Sequence, residues 1–178
     1  MPDCAFTRIE TERLALRRLR ARDLPDLVSY RAHPDVLPWQ GWSRFAPTDA
    51  AALIAEMAWL DPDWPGRWFQ IGIALKDGDR LVGDIGLFTP AADPAEGRIG
   101  YTLAPDWQGR GLAREAAAGL IAYLFAARGK RRVVAGTLPG NGPSQRLLAA
   151  LGFLRARSLD LDGEWGYALE RPAAAKVG

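Results

Sequence analysis

The sequence predicts a mixed α/β domain of the α+β class, built on a central sheet that is mostly antiparallel. Three observations point there. Apolar runs at residues 69–75, 80–88 and 97–103 are separated by a Lys-Asp-Gly-Asp turn and a looser loop, the pattern of an antiparallel meander. A glycine loop at residues 109–111 then opens a run rich in Ala and Leu that reaches Arg128 and is apolar almost all round, which reads as a helix buried against the sheet. Beyond it, Val133 and Val134 mark a strand that the buried crossover makes parallel to the one before the loop.

In chain order, residues 11–18 alternate, with Leu14 and Leu16 on one face and Arg13, Ala15 and Arg17 on the other, which predicts a first strand with one buried face. Asp23 starts a short helix to Arg31, closed by His33-Pro34 because the residue before proline is driven out of the helical region. Residues 47–59 read as a second helix, capped by Thr48 or Asp49. Trp39, Trp42, Trp59, Trp64 and Trp68 fall among Pro- and Gly-rich loops, where they either cover a sheet edge or form a lid over a ligand. After the meander, the buried helix and the parallel strand, Asn141-Gly142-Pro143-Ser144 opens a fourth helix that Gly152 ends. Residues 153–161 and 164–170, on either side of Asp162-Gly163, form a last hairpin. With no internal repeat and no linker, residues 1–178 are expected to form one domain, with its core over 8–171 and residues 172–178 as a frayed tail.

Composition excludes several classes. A chain of 178 residues with 48% hydrophobic and 25% charged content is ordinary for a soluble domain with a sizeable core. A formal charge of +2 gives no argument for nucleic acid, and Arg128, Arg131 and Arg132 read as a solvated helix end. The single Cys4 supports neither a disulfide framework nor a zinc site, and no metal is expected. No signal peptide and no membrane-length apolar run are visible. The protein is therefore expected to be cytoplasmic, a monomer or homodimer, without membrane or nucleic-acid partners.

The chemistry gathers at residues 108–113, Gln-Gly-Arg-Gly-Leu-Ala. A helix start presents unpaired N–H groups and a positive dipole end, glycines let the backbone come close, and Arg110 adds charge, so a phosphate-bearing ligand is expected. Two such ligands fail on spacing. A P-loop needs Lys followed by Ser or Thr after its second glycine, whereas Gly129-Lys130 lies at the wrong end of the helix and Arg131 follows it. A dinucleotide fingerprint needs a third glycine where Arg114 stands, and a parallel unit where the meander is antiparallel.

The same loop resembles the (Gln/Arg)-x-x-Gly-x-(Gly/Ala) motif of the GNAT superfamily of acetyl-CoA-dependent N-acetyltransferases. A second match is independent: residues 141–153, from Asn141 through Ser144 to Leu151-Gly152-Phe153, resemble that superfamily's Asn-x-x-Ser/Ala helix ending in Leu-Gly-Phe. The opening residues 11–17, Ile99-Gly100-Tyr101, Trp107 and Glu115-Ala116 resemble the RimJ/RimL-type branch, whose named members acetylate N-termini of ribosomal proteins.

The resemblance implies a sheet of about seven strands with about four helices, its parallel pair splayed at the acetyl-CoA site. It implies direct transfer from acetyl-CoA to a primary amine, either a protein N-terminus or a small molecule; a CoA-binding module without turnover is the alternative. The pyrophosphate falls to Gln108 and the backbone of Gly109, Arg110, Gly111, Leu112 and Ala113, while an arginine after the helix is an option for the 3′-phosphate. The pantetheine arm falls to main-chain groups of Tyr101 and Leu103 and to Asn141, which on its own residues also reads as a helix cap. Ser144 matches the position beside the thioester sulfur, where a hydroxyl stabilises or protonates the departing thiolate. Many relatives have a tyrosine on this helix where Leu148 stands here. The branch's usual acidic residue before Ile-Gly-Tyr is replaced by Arg98, which leaves Glu96, Asp84 and Asp160, or a water chain, as the candidates to take the amine's proton. Each of these carboxylates also reads as a solvated surface group. His33, at a helix end before Pro34, is expected to be structural.

Overall fold

A computed structural model describes Phe6 and residues 8–173; Cys4 and residues 174–178 of the tail lie outside the described residues. The strands are β1 (Arg8–Glu10), β2 (Leu14–Arg18), β3 (Trp68–Leu75), β4 (Leu81–Phe88), β5 (Glu96–Leu103), β6 (Arg132–Thr137), β7 (Leu154–Arg155) and β8 (Trp165–Glu170). They form one sheet in the order β1-β2-β3-β4-β5-β6-β8-β7. Every pairing is antiparallel except β5 with β6, so the expected mixed, mostly antiparallel sheet is present. The strand beyond the expected number is β1, a three-residue edge strand too short to show periodicity in the sequence.

The four helices are α1 (Leu24–Arg31), α2 (Pro47–Trp59), α3 (Leu112–Ala126) and α4 (Gly142–Ala150). Asp49 does not cap α2 as its first residue. It stands in the first turn and its carboxylate reaches back 2.8 Å to the backbone N–H of Ala46, which holds the cap position. The helix α3 lies against the face carrying Leu14 and Leu16: a Cβ on Gly119 would meet Thr11 at 2.7 Å and Leu16 at 3.9 Å. Gly119 is therefore where the helix backbone comes closest to the sheet. On the opposite face, Tyr30 and Arg31 of α1 reach Asp84 of β4, the neighbour of core residue Ile85.

Three sequence expectations are corrected by the structure. Arg17 does not face solvent; it is 1% exposed and bonds Asp23 at 2.8 Å and Asp79 at 2.7 Å. The 3₁₀ turn Ala21–Asp23 and the β3–β4 turn close over it, so both faces of β2 are buried. Arg128, Arg131 and Arg132 are not simply a solvated helix end either: they pair with Asp63, Asp93 and Glu96, and the Arg128 side chain is only 11% exposed. The last hairpin is also shorter than expected, because Asp160 accepts from Arg155 and from the Gly166 N–H and pulls the chain into a turn at Arg157–Leu159.

The feature that positions a site is the parallel pair. Register partners of β5 and β6 run only from Glu96↔Arg132 to Ile99↔Ala135, although β5 continues to Leu103 and β6 to Thr137. Past Ile99 the two strands part, and their main-chain groups on the inner side of the opening lose each other as partners.

Candidate active site

From the end of β5 the chain makes a 3₁₀ turn, Pro105–Trp107, and enters the glycine loop. Gly109 and Gly111 adopt left-handed conformations, with φ of 72° and 77°, which side chains resist and glycine does not. Gly111 caps α3, whose first internal bond runs from Glu115 N to Gly111 O at 3.0 Å. Among the described residues, the N–H groups of residues 109–114 find no protein acceptor. They converge at the positive end of the helix dipole, an arrangement that binds anions.

The loop is braced from outside. Glu115 accepts from the Thr11 hydroxyl (2.6 Å), the Arg13 N–H (2.7 Å) and the Arg13 guanidinium (2.7 Å). Burial alone would raise this carboxyl, but those bonds bring it below its ordinary value. Gln108 acts as a clamp: its Nε2 donates to the Leu103 carbonyl at 2.9 Å, tying the loop to the strand end. Arg110 turns outward, its guanidinium 4.7 Å over the Trp107 ring and its carbonyl bonded to Arg13, so its side chain lines neither cavity described below. The expected extra charge at the loop is therefore not aimed at a ligand by Arg110.

Two cavities meet in the splay. The first, about 440 Å³, runs along the loop and the starts of α3 and α4, past Leu103, Gln108, Gly109, Gly111, Leu112 and Ala113. The second, about 280 Å³, opens on the far side, between Trp39, Trp68, Arg98, Gly100, Gly136 and Glu164. Trp39, Gln40, Tyr101, Asn141 and Ser144 border both. Asn141 is the N-cap of α4, its Oδ1 accepting from Ser144 N at 3.2 Å, and its amide nitrogen has no partner among the described residues. Asn141 thus caps the helix and faces the junction at the same time. The Ser144 hydroxyl lies 2.8 Å from the Tyr101 hydroxyl. Burial pushes the Tyr101 phenol up to about 12, against the opposing hydrogen bond from Ser144, so it stays protonated and able to donate. Leu148, where many relatives carry tyrosine, is instead fully buried; the phenol at this junction comes from the sheet.

The carboxylates sort differently from the sequence reading. Asp84 is not a free base: it is 2% exposed, with Arg31 donating to both oxygens at 2.9 and 2.7 Å and the Tyr30 hydroxyl donating as well. Arg31 is in turn stacked under Trp42 and Phe45, so the pair fastens α1 and the loop after it to the sheet. Asp84→Asn should leave the buried Arg31 uncompensated and lower the unfolding free energy in urea by about 3 kcal/mol. Glu96 is likewise occupied, by Arg98 at 2.8 Å on one oxygen and by Arg132 on the other. Asp160 is held by Arg155 and the Gly166 N–H, and the Arg155 bonds keep its carboxyl below the ordinary value. None of the three lines either cavity.

The carboxylate that does face the junction's outer cavity is Glu164, at the start of β8. A Cβ on Gly136 would fall 2.3 Å from its Oε2, so the side chain lies directly over the glycine of β6. Burial, and secondarily the charge of Asp162, raise its carboxyl above the ordinary value. Glu164 sits just past a turn, where strand periodicity carries no signal. The usable clue was a pair of glycines, Gly136 and Gly166, which the sheet places opposite each other.

A mixed sheet split at one parallel pair, with a glycine-headed helix beside the split, offers one continuous groove to a ligand with an anionic end. The chain belongs to the GNAT acetyltransferases, whose domain model matches residues 13–154. It is 31% identical to the uncharacterized N-acetyltransferase p20 of Bacillus licheniformis over 143 residues, 80% of each chain. It is 27% identical to the [ribosomal protein uS5]-alanine N-acetyltransferase of Escherichia coli over 166 residues, 89% of this chain and 86% of that one. The solved structure of Mycobacterium smegmatis RimJ in complex with CoA-disulfide superposes with a TM-score of 0.72 at 26% identity, covering 95% of this chain and 88% of that one. No helix among the described residues is long and apolar enough to cross a membrane.

Proposed function

We propose that the protein is a single-domain cytoplasmic enzyme that moves the acetyl group of acetyl-CoA directly onto a primary amine. The observation that carries this is the meeting of the two cavities at Ser144 and Tyr101, one cavity headed by unpaired N–H groups and the other holding a raised carboxylate. That the similar RimJ structure was solved in complex with CoA-disulfide supports a CoA-type donor.

In this reading the N–H groups of residues 109–114 bind the pyrophosphate, with Gln108 holding the loop in place. Main-chain groups of Tyr101 and the Asn141 amide bind the pantetheine arm in the splay. Leu103 contributes less than the resemblance implies, because its carbonyl already accepts from Gln108. Glu164 takes the proton from the acceptor ammonium, directly or through one water. The freed amine lone pair then attacks the thioester carbonyl carbon. As the carbon–sulfur bond breaks, the attacking nitrogen loses its second proton and the departing thiolate takes one up, steadied by the Ser144 hydroxyl that the Tyr101 hydroxyl holds in place, so both hydroxyls end the reaction protonated. No group on the protein is acetylated.

Purified protein offered acetyl-CoA with a panel of amines and N-terminal peptides should release free CoA thiol in step with acetylated amine. The alternative, a CoA-binding module, is favoured if CoA at a hundred times its dissociation constant stabilises the fold by about 2.7 kcal/mol while no thiol is ever released. Within the reaction, Ser144→Ala should lower turnover by about tenfold or more with little change in acetyl-CoA affinity, since the hydroxyl acts on a charge that develops late. Equal losses in both would mean that Ser144 only packs α4.

A further inference from the structure

The acceptor cavity carries a second charge that acetyl transfer does not use. Arg98 lines it from β5 beside Gly100, and its side chain is 38% exposed. Only its Nε is engaged, donating to Glu96 at 2.8 Å. The other Glu96 oxygen belongs to Arg132. The two terminal nitrogens of Arg98 have no acceptor among the described residues, so a planar donor fork faces the cavity with its charge only partly answered.

This charge is not placed for the donor. The anion-binding N–H groups head the other cavity, and Arg98 does not line that one. Nor does Arg98 brace the sheet, because Glu96 keeps Arg132 in its absence. What faces Arg98 across the cavity is Glu164, over Gly136. Arg98 pairs with Val134 in register, so Gly136 is one strand over and two residues further along, roughly 8 Å away at the backbone. Between them the floor is open, since a Cβ on Gly100 would meet nothing within 4 Å. Trp39 and Trp68 form apolar walls, 43% and 46% exposed, together with Leu159 and Leu161. At about 280 Å³ the cavity is just below the usual range of roughly 300–1,000 Å³ for small-molecule sites.

Resting on the acetyltransfer reading above, we infer that the acceptor is a small zwitterionic amine on a flat apolar frame, an aromatic α-amino acid or a close relative. Its ammonium meets Glu164, its carboxylate takes the Arg98 fork, and its ring lies against Trp39 and Trp68. The opposed charges fix the amine's orientation toward the Ser144 junction. An acceptor with a neutral amide in place of the carboxylate leaves Arg98 desolvated and unpaired, which is where discrimination arises.

The test uses the wild-type protein with acetyl-CoA and matched acceptors: tryptophan and phenylalanine, their amides, tryptamine, and a peptide with N-terminal alanine. The free amino acids should have kcat/KM at least about tenfold above their amides, and Arg98→Gln should bring that ratio toward one, chiefly by raising KM for the acids. Amides, tryptamine or the peptide acetylated as fast as the acids, or faster, overturn the acceptor assignment while acetyl transfer itself stands. No thiol release with any acceptor overturns acetyl transfer, and the acceptor assignment falls with it.

Discussion

Replacing Gly111 with aspartate should weaken CoA binding by about a hundredfold or more, the equivalent of about 2.8 kcal/mol. Two effects add. The residue is left-handed, φ 77°, so any side chain biases the free loop toward other conformations that no longer present its N–H groups together, a smaller effect for aspartate than for most residues. A carboxylate at the helix start also faces the unpaired N–H groups that would hold phosphate, competing for them and repelling the ligand. Aspartate is among the side chains that tolerate this backbone region, and a Cβ here meets only Arg13 at 3.5 Å, so the fold should survive. Gly111→Ala separates the two effects, carrying the strain without the charge, and should lose less affinity. Calorimetric titration with CoA measures both variants. An aspartate variant that binds as well as the parent would remove the loop from the donor site.

Glu164→Gln should lower turnover by about 10²–10⁴-fold with acetyl-CoA affinity unchanged, the range expected for loss of a positioned general base. The sign of the pH dependence follows from the raised carboxyl. Glu164 must be unprotonated to accept, so the parent's rate should climb with pH as this group, held above its ordinary value by burial and Asp162, loses its proton. The charged groups around it are Arg98 within the same cavity and Asp162 in its own turn. The glutamine variant should lose that ascending limb. Gly136→Ala offers an independent check without touching the carboxyl. The added methyl would occupy the position 2.3 Å from the Glu164 oxygen, and the flexible side chain would swing away at a stability cost within about 1 kcal/mol. Turnover should fall all the same. If Glu164→Gln keeps both the rate and the pH profile of the parent, the proton leaves by another route.

The glycine loop and the start of α4 were legible in the sequence because they are written locally. Residues 108–113 and 141–144 are contiguous turns and helix starts whose glycines, proline and asparagine report backbone conformation directly, and the structure has the helices start where those residues predict. The meander and the crossover were legible for the same reason. The lining of the second cavity was not, because its groups are joined by pairings distant in the chain. Glu164 reaches Gly136 only through β6 with β8, and Asp84 is taken out of contention by Arg31, a residue on a helix 53 positions away. Charge alone could not distinguish the two carboxylates; their partners do. Arg17 carries the same lesson, since an alternating strand with arginine on its outer face reads as half exposed until a turn closes over it.

Initial rates over a grid of acetyl-CoA and acceptor concentrations test direct transfer at the cavity junction. If both substrates must occupy the two cavities together, with the acetyl group passing between them at Ser144, the double-reciprocal lines intersect. Parallel lines, the pattern of a covalent acetyl-enzyme formed before the acceptor binds, would contradict it.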